Sequence, residues 1–178
     1  MRDSYKVVSA TSDHVALLPE IERSAASLFS EHVPPELLEI TTPEPVLLAA
    51  QRDGTLWVAV GPDDEAVGFA RVTIEADRAH LAELDVLPAH GRRGIGTALV
   101  RAIEVWARSG DYPEITLTTY RDLPWNAPFY AHLGFAVVPE CDWDADLRRR
   151  FEEEAGLDSE RARRVVMRMT LGAAQAGR

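Results

Sequence analysis

Residues able to do chemistry concentrate in one run, Leu84-Asp85-Val86-Leu87-Pro88-Ala89-His90-Gly91-Arg92-Arg93-Gly94-Ile95-Gly96-Thr97-Ala98-Leu99. An apolar strand ends, a basic glycine-rich turn follows, and an amphipathic helix begins. Such a turn exposes backbone N–H groups at a helix N-terminus, where the helix dipole also favours negative charge. Arg92 and Arg93 add to that field. The run suits a phosphorylated ligand. On the strand before it, Leu81, Glu83 and Asp85 share one face while Ala82, Leu84 and Val86 share the other.

Two common phosphate motifs are not met. The dinucleotide pattern G-x-G-x-x-G fails because Leu99 stands where the third glycine belongs. The P-loop pattern needs a lysine after its last glycine, and Lys6 is the only lysine in the chain.

The turn and the carboxylates need a scaffold, and the apolar pattern predicts one. Tyr5-Lys6-Val7-Val8 reads as a first strand. Ser12-Asp13 caps a helix over 13–30, with Val15, Leu18, Ile21, Ala25 and Leu28 on its apolar face. Pro34-Pro35 restarts the chain before a helical turn at Glu36-Leu37-Leu38. Pro43 opens a short helix that ends near Arg52, and Asp53-Gly54 is a turn. Three strands follow closely, Leu56–Val60, Ala66–Glu75 and Ala79–Leu87, with the short turns of an antiparallel meander. Residues 95–108 place Leu99, Ala102, Ile103 and Trp106 at a helical period. A strand over Glu114–Thr119, a short helix over Pro124–Leu133 and a strand over Gly134–Pro139 come next. A charged helix over Asp142–Ala155 and a strand over Arg164–Leu171 complete the pattern. The expected fold class is α/β (α+β), a mixed, mostly antiparallel central sheet of about six or seven strands flanked by helices. It forms one domain over 1–172, and 173–178 is a frayed tail.

Composition narrows the function. The 178 residues are 46% hydrophobic, enough for a sizeable core. A net charge of −10 argues against generic nucleic-acid binding and leaves a cationic partner electrostatically welcome. No apolar stretch approaches the roughly 20 residues of a membrane span. The first residues lack the apolar centre of a secretory signal. A lone Cys141 cannot form an intramolecular disulfide, which fits a reducing cytoplasm.

The opening run resembles the [QR]-x-x-G-x-[GA] motif of the GCN5-related N-acetyltransferase family, which lies between that family's fourth strand and third helix. Gly94 and Gly96 stand at its two glycine positions. Gly91 replaces the usual Gln or Arg, and Arg92 and Arg93 lie inside the loop. A second match is Trp125-Asn126-Ala127-Pro128-Phe129-Tyr130-Ala131-His132-Leu133-Gly134-Phe135. It is similar to the family's closing signature F-Y-x-x-x-G-F at Phe129-Tyr130 and Gly134-Phe135. Where the family often has Asn seven residues before the Tyr, this chain has Leu123, and Asn126 stands four before it. The resemblance covers about residues 55–140, and 142–162 looks like an insertion before the last strand.

The resemblance implies a sheet splayed between its fourth and fifth strands and an acetyl-CoA-dependent N-acetyltransferase, without a metal. Its acceptor would be a primary amine of a small molecule or peptide. The loop Gly91, Arg92, Arg93, Gly94, Ile95, Gly96 and Thr97 would hold the diphosphate of acetyl-coenzyme A, with Asn126 and Phe129 also against the cofactor. The backbone of Leu84, Asp85 and Val86 would polarise the thioester carbonyl and stabilise the oxyanion. Homodimers are common in the family. The alternative is a non-catalytic acyl-CoA-binding regulatory module on the same fold. A nucleotide-binding domain unrelated to coenzyme A is the third reading.

Transfer to an amine needs a base, because an alkylammonium titrating near ~10.4 has no lone pair. Glu83 is the first candidate and Asp85 the second; a solvated strand-edge carboxylate is the plain alternative. The departing thiolate needs a proton, and the resemblance assigns that to Tyr130, whose phenol titrates near ~10. His80 and His132 are candidate relays, though surface or capping roles suit them better. Thr118 and Trp125 belong to a stretch that can line an acceptor pocket, with Trp125 either stacking on a ring or a cation or serving as a core residue. The charged insertion is a further acceptor-selecting region. Glu31, Glu36 and Glu39 could attract a cationic amine, but a solvated helix face suits them better.

Overall fold

The computed structural model describes residues 5–155 and 161–172. The tail expected at 173–178 lies outside the described residues. Seven strands form one sheet in the order β1-β2-β3-β4-β5-β7-β6. The chain divides into two compact units: residues up to Thr73 with Leu81–Ile103, and Ile74–His80 with Glu104 onward.

In the first unit, β1 (Lys6–Ser9) runs antiparallel to β2 (Leu56–Val60), with Val7 opposite Ala59. Strand β2 is apolar throughout and buried at all five positions, as a central strand covered on both faces must be. It pairs antiparallel with β3 (Ala66–Glu75), with a register shift between Ala59 and Val60. Strand β4 (Arg78–Val86) follows a two-residue turn at Ala76-Asp77.

The helix expected over 13–30 is broken. It becomes α1 (Ser12–Val15), α2 (Leu18–Ala26) and a 3-10 turn at Ser27–Phe29. Pro19 has no N–H to donate to Val15, so the chain restarts with Pro19 in the first turn of α2, where proline is tolerated. Val15, Leu18, Ile21 and Ala25 are buried as expected, but Leu28 is 44% exposed. The tighter 3-10 turn carries Leu28 off the apolar stripe. A short helix α3 (Pro35–Leu38) precedes α4 (Glu44–Arg52), and Gly54 at φ +70° supplies the left-handed exit from α4. Leu18, Ile21, Leu47, Val58 and Phe69 belong to one core cluster.

Helix α5 (Ile95–Ser109) begins in the first unit and ends in the second. In the second unit, β5 (Glu114–Tyr120) pairs with β4 in parallel, Ala79 with Ile115 and His80 with Thr116. Its other edge is antiparallel to β7 (Arg164–Thr170), from Glu114 opposite Thr170 to Tyr120 opposite Arg164. Helix α6 (Ala127–His132) starts later than Pro124, because the Asn126 N–H closes a turn onto Leu123 O at 2.9 Å and Asn126 is non-helical (φ −112°, ψ −117°). The strand expected over 134–139 shrinks to β6 (Ala136–Val137), between Gly134 at φ +103° and Pro139, which has no N–H to pair. The charged helix is α7 (Ala145–Ala155) and begins after Asp142. Asp144 caps it, its Oδ1 accepting the Leu147 N–H at 2.9 Å.

Candidate active site

The basic run lies wholly in the first unit. After β4, the Leu87 N–H donates to Val67 O at 2.9 Å and a 3-10 turn covers Pro88–His90. Arg92 (φ +59°) and Gly94 (φ +81°) then take left-handed conformations that swing the chain into α5. The first α-helical bond of α5 runs from the Ala98 N–H to Gly94 O, at 2.9 Å. The Ile95, Gly96 and Thr97 N–H groups precede it and have no intrahelical acceptor. Gly91, Arg92, Arg93 and Gly94 are exposed, while Ile95 is buried and anchors the turn. A Cβ built on Gly94 would meet nothing within 4 Å. Open space, backbone donors ahead of the first α-helical bond and the helix dipole fit a diphosphate.

Arg93 donates from Nη1 to the Tyr5 hydroxyl at 2.8 Å. Tyr5 was legible only as the start of a strand. Its hydroxyl lies 3.1 Å from His90 Nδ1, and its ring meets the His90 ring edge-on at 5.9 Å.

Strand β4 carries the carboxylates, also in the first unit. Asp85 Oδ2 is sealed from solvent and has no hydrogen-bond partner among the described residues. Burial raises the Asp85 carboxyl well above 3.8, and the charges of Glu83 and Glu22 and a hydrogen bond with Glu83 push the same way. Burial and the neighbouring Glu83 thus both favour the protonated form of Asp85. Glu22, on α2, was missed. It lies four residues after Leu18 and three before Ala25, on the apolar stripe, and that placement was the available signal. Thr42 holds it, with N–H to Oε2 at 2.8 Å and Oγ1 to Oε1 at 3.2 Å. Desolvation raises the Glu22 carboxyl, against the Thr42 bonds and the charges of Arg71 and Arg23. Gly68 was missed too. A Cβ there would stand 2.7 Å from Asp85 O, so only glycine lets β3 press this closely on β4.

The remaining candidates lie in the second unit. Tyr130 is buried, its ring edge-on to Phe129 at 5.0 Å and Phe135 at 5.7 Å. Asn126 donates from Nδ2 to Thr119 Oγ1 at 2.7 Å. Its Oδ1 and Thr118 Oγ1 are buried and have no hydrogen-bond partner among the described residues. Buried polar atoms of that kind fit a ligand that brings its own hydrogen-bonding groups, as the amides of coenzyme A do. Trp125 is 40% exposed, and Leu123 is buried.

His80 overturns its reading as a surface or capping residue. It is 2% exposed, with Nδ1 2.9 Å from Thr116 Oγ1 and Nε2 2.9 Å from Glu154 Oε1. The strand is covered on both faces there, and partners on β5 and α7 satisfy both ring nitrogens. His132 is exposed and donates from Nδ1 to Pro128 O at 2.6 Å, a local helix contact. Glu31, Glu36 and Glu39 are exposed, as a solvated face requires. Among the described residues no group of three or more His, Cys, Asp or Glu could hold a metal ion, and no helix is long and apolar enough to cross a membrane.

Comparison with known proteins decides the family. The profile of the acetyltransferase (GNAT) family matches residues 18–135. The chain belongs to that family. Among GNAT relatives, it is 37% identical over 99 residues to an aminoglycoside N(6')-acetyltransferase type 1 of Klebsiella aerogenes, a match covering 50% of this chain and 64% of that protein. It is 33% identical over 100 residues to a streptothricin acetyltransferase of Streptomyces lavendulae, covering 53% of this chain and 50% of that protein. The chain thus spans less than two thirds of the length of these relatives. The PaiA N-acetyltransferase of Thermoplasma acidophilum, solved in complex with coenzyme A, shares the GNAT fold at a TM-score of 0.70 and 17% identity, covering 94% of this chain and 99% of that one.

Proposed function

We propose that this protein is an acetyl-CoA-dependent N-acetyltransferase acting on a primary amine of a small molecule or peptide. The observation that carries the reading is the open α5 N-terminus: three N–H groups ahead of the first α-helical bond, behind Gly94 at φ +81°, in a chain of the GNAT family. The Ile95–Thr97 backbone receives the diphosphate, with Gly91, Arg92 and Arg93 around it. Acetyl-coenzyme A supplies the activated acyl group as a thioester.

The chain's own residues divide the remaining work. The Glu83–Asp85 pair takes the proton that the ammonium must lose before it can attack. Asp85, kept protonated by burial, donates a hydrogen bond to the Glu83 carboxylate and holds it toward its task. The backbone of Leu84–Val86 polarises the thioester carbonyl. A bond forms from nitrogen to the acyl carbon, the carbon–sulfur bond breaks, Tyr130 protonates the departing sulfur, and the second proton that nitrogen loses as the amide forms restores the Tyr130 phenol. Asn126, Phe129, Thr118 and Trp125 contact the ligands in the second unit. The lone Cys141 supports a reducing, cytoplasmic setting.

The test is release of free thiol from acetyl-CoA across a panel of amines, beginning with aminoglycosides, streptothricin and polyamines. Thiol release that depends on the amine supports the reading, and Tyr130→Phe should then lower kcat at least tenfold while coenzyme A affinity holds. Thermal stabilisation by ATP or NAD but not by acetyl-CoA sinks it.

A further inference from the structure

We propose that Tyr5 is a positioning residue of the diphosphate loop, fixing it through His90 and Arg93. The inference rests on the diphosphate reading of that loop. Tyr5 directly precedes β1, whose register on β2 is fixed from Lys6 opposite Val60 onward. Its ring therefore hangs from a rigid support.

Within the loop, the His90 N–H bonds Leu87 O at 2.8 Å and the Gly91 N–H bonds Pro88 O at 3.1 Å. Beyond Gly91, two left-handed residues carry the chain to α5. Tyr5 spans this stretch from outside, touching residue 90 before the left-handed residues and residue 93 between them. The Arg93 guanidinium donates to the phenol oxygen at 2.8 Å. The phenol has one proton, and His90 Nδ1 at 3.1 Å can accept it. That assignment leaves His90 as the Nε2–H tautomer. The edge-on ring contact at 5.9 Å adds a second hold on His90. With residues 90 and 93 fixed, the donors that follow Gly94 are presented in one arrangement, and less order has to be imposed when the diphosphate arrives.

The experiment compares coenzyme A with pantetheine, which lacks the diphosphate, by titration calorimetry under reducing conditions. Neither ligand requires the acceptor to be known. Tyr5→Phe keeps the ring against His90 and removes both hydrogen bonds. It should weaken coenzyme A binding roughly three- to tenfold and leave pantetheine binding unchanged. His90→Leu should act in the same direction. The double variant should lose no more than the worse single one, because both act through one network. Unfolding midpoints of both variants show that they are folded. Unchanged coenzyme A affinity in Tyr5→Phe, equal losses for the two ligands, or additive losses in the double variant each overturn the role of Tyr5. A wild-type protein that binds coenzyme A no better than pantetheine overturns the diphosphate reading and the inference with it.

Discussion

Replacing Asp85 with Asn should stabilise the protein at neutral pH, although it deletes an ionisable group from the candidate site. Burial, then the charges of Glu83 and Glu22, then a hydrogen bond with Glu83 raise the Asp85 carboxyl well above 3.8. The unfolded chain gives up this proton near 3.8 and the folded chain only at higher pH. Between those points the folded state binds the extra proton, so stability falls as pH rises. The slope is about 1.4 kcal/mol per pH unit for one proton. Below the unfolded value the penalty is absent; above the folded value it is complete and constant. Solvent does little to reduce it, because Oδ2 is sealed. Asn has nearly the same shape, carries no charge, and can still donate to Glu83. Urea unfolding followed by tryptophan fluorescence, from about pH 4.5 to about pH 8, gives both stability curves. The gain of Asp85→Asn over wild type should grow by about 1.4 kcal/mol per pH unit and then level off. The pH at which it levels reflects both carboxyls, because the Glu83 charge helps to raise Asp85. Curves that run parallel across the range would refute the buried protonated carboxyl and, with it, the proton-accepting pair.

Two glycines should respond differently to alanine. At Gly94 a Cβ meets nothing, so only left-handed strain of about 1–2 kcal/mol is expected, read as a lowered unfolding midpoint and weaker coenzyme A binding. At Gly68 the Cβ meets the Asp85 carbonyl, so β4 must shift, with about 1–3 kcal/mol lost and activity falling with it. Asp144 is held at about 2 by its hydrogen bond to Arg78 and by the Leu147 N–H. Its ion pair therefore stabilises above 3.8 and is lost as pH falls toward 2. The side chain is 48% exposed, so screening limits Asp144→Asn to a loss of about 1 kcal/mol near pH 7, vanishing in acid by urea titration. His80→Leu leaves the buried Thr116 hydroxyl and Glu154 without their imidazole partner, and should cost about 1–3 kcal/mol by the same measurement.

Local patterns were legible in the sequence, and long-range closures were not. Helix α5 and its glycine turn stood out because an apolar helical period and a basic turn are both local signals. Strands β2 to β4 were legible from their close succession and short turns. Pro19 was an audible break that the apolar stripe masked. His80 was misread because Ala79, His80 and Leu81 are buried in succession, whereas alternation assumes one wet face. Tyr5 and Gly68 act on His90 and Asp85 from far along the chain, and such pairings exist only once the sheet is registered. Glu22 did carry a local signal, a carboxylate on an apolar stripe, and its partners Thr42 and Arg71 come from elements that no local pattern connects.

The charged insertion serves the scaffold. Leu147, Phe151 and Ala155 turn the apolar side of α7 into a cluster with Val138 and Val166, and the Trp143 ring packs on Phe151 at 4.7 Å. Its polar residues converge on the end of the β3–β4 hairpin. Arg149 and Arg150 pair with Glu75, the capping Asp144 pairs with Arg78 at 2.7 Å, and Glu154 meets His80. Arg78 also pairs with Glu114, which binds Arg168 at 2.9 Å, so the hairpin, β5 and β7 share one charge network. The exposed members of such a network contribute little singly. The buried His80 and the largely buried Arg78 and Glu114 contribute more, because breaking their contacts strands charge or polarity away from water. These links end at His80, the residue directly before Leu81, from which β4 runs on to Glu83 and Asp85. An insertion that looked suited to choosing an acceptor thus sends Asp144, Arg149, Arg150 and Glu154 to the β3–β4 hairpin, at the root of the strand that bears the carboxylates.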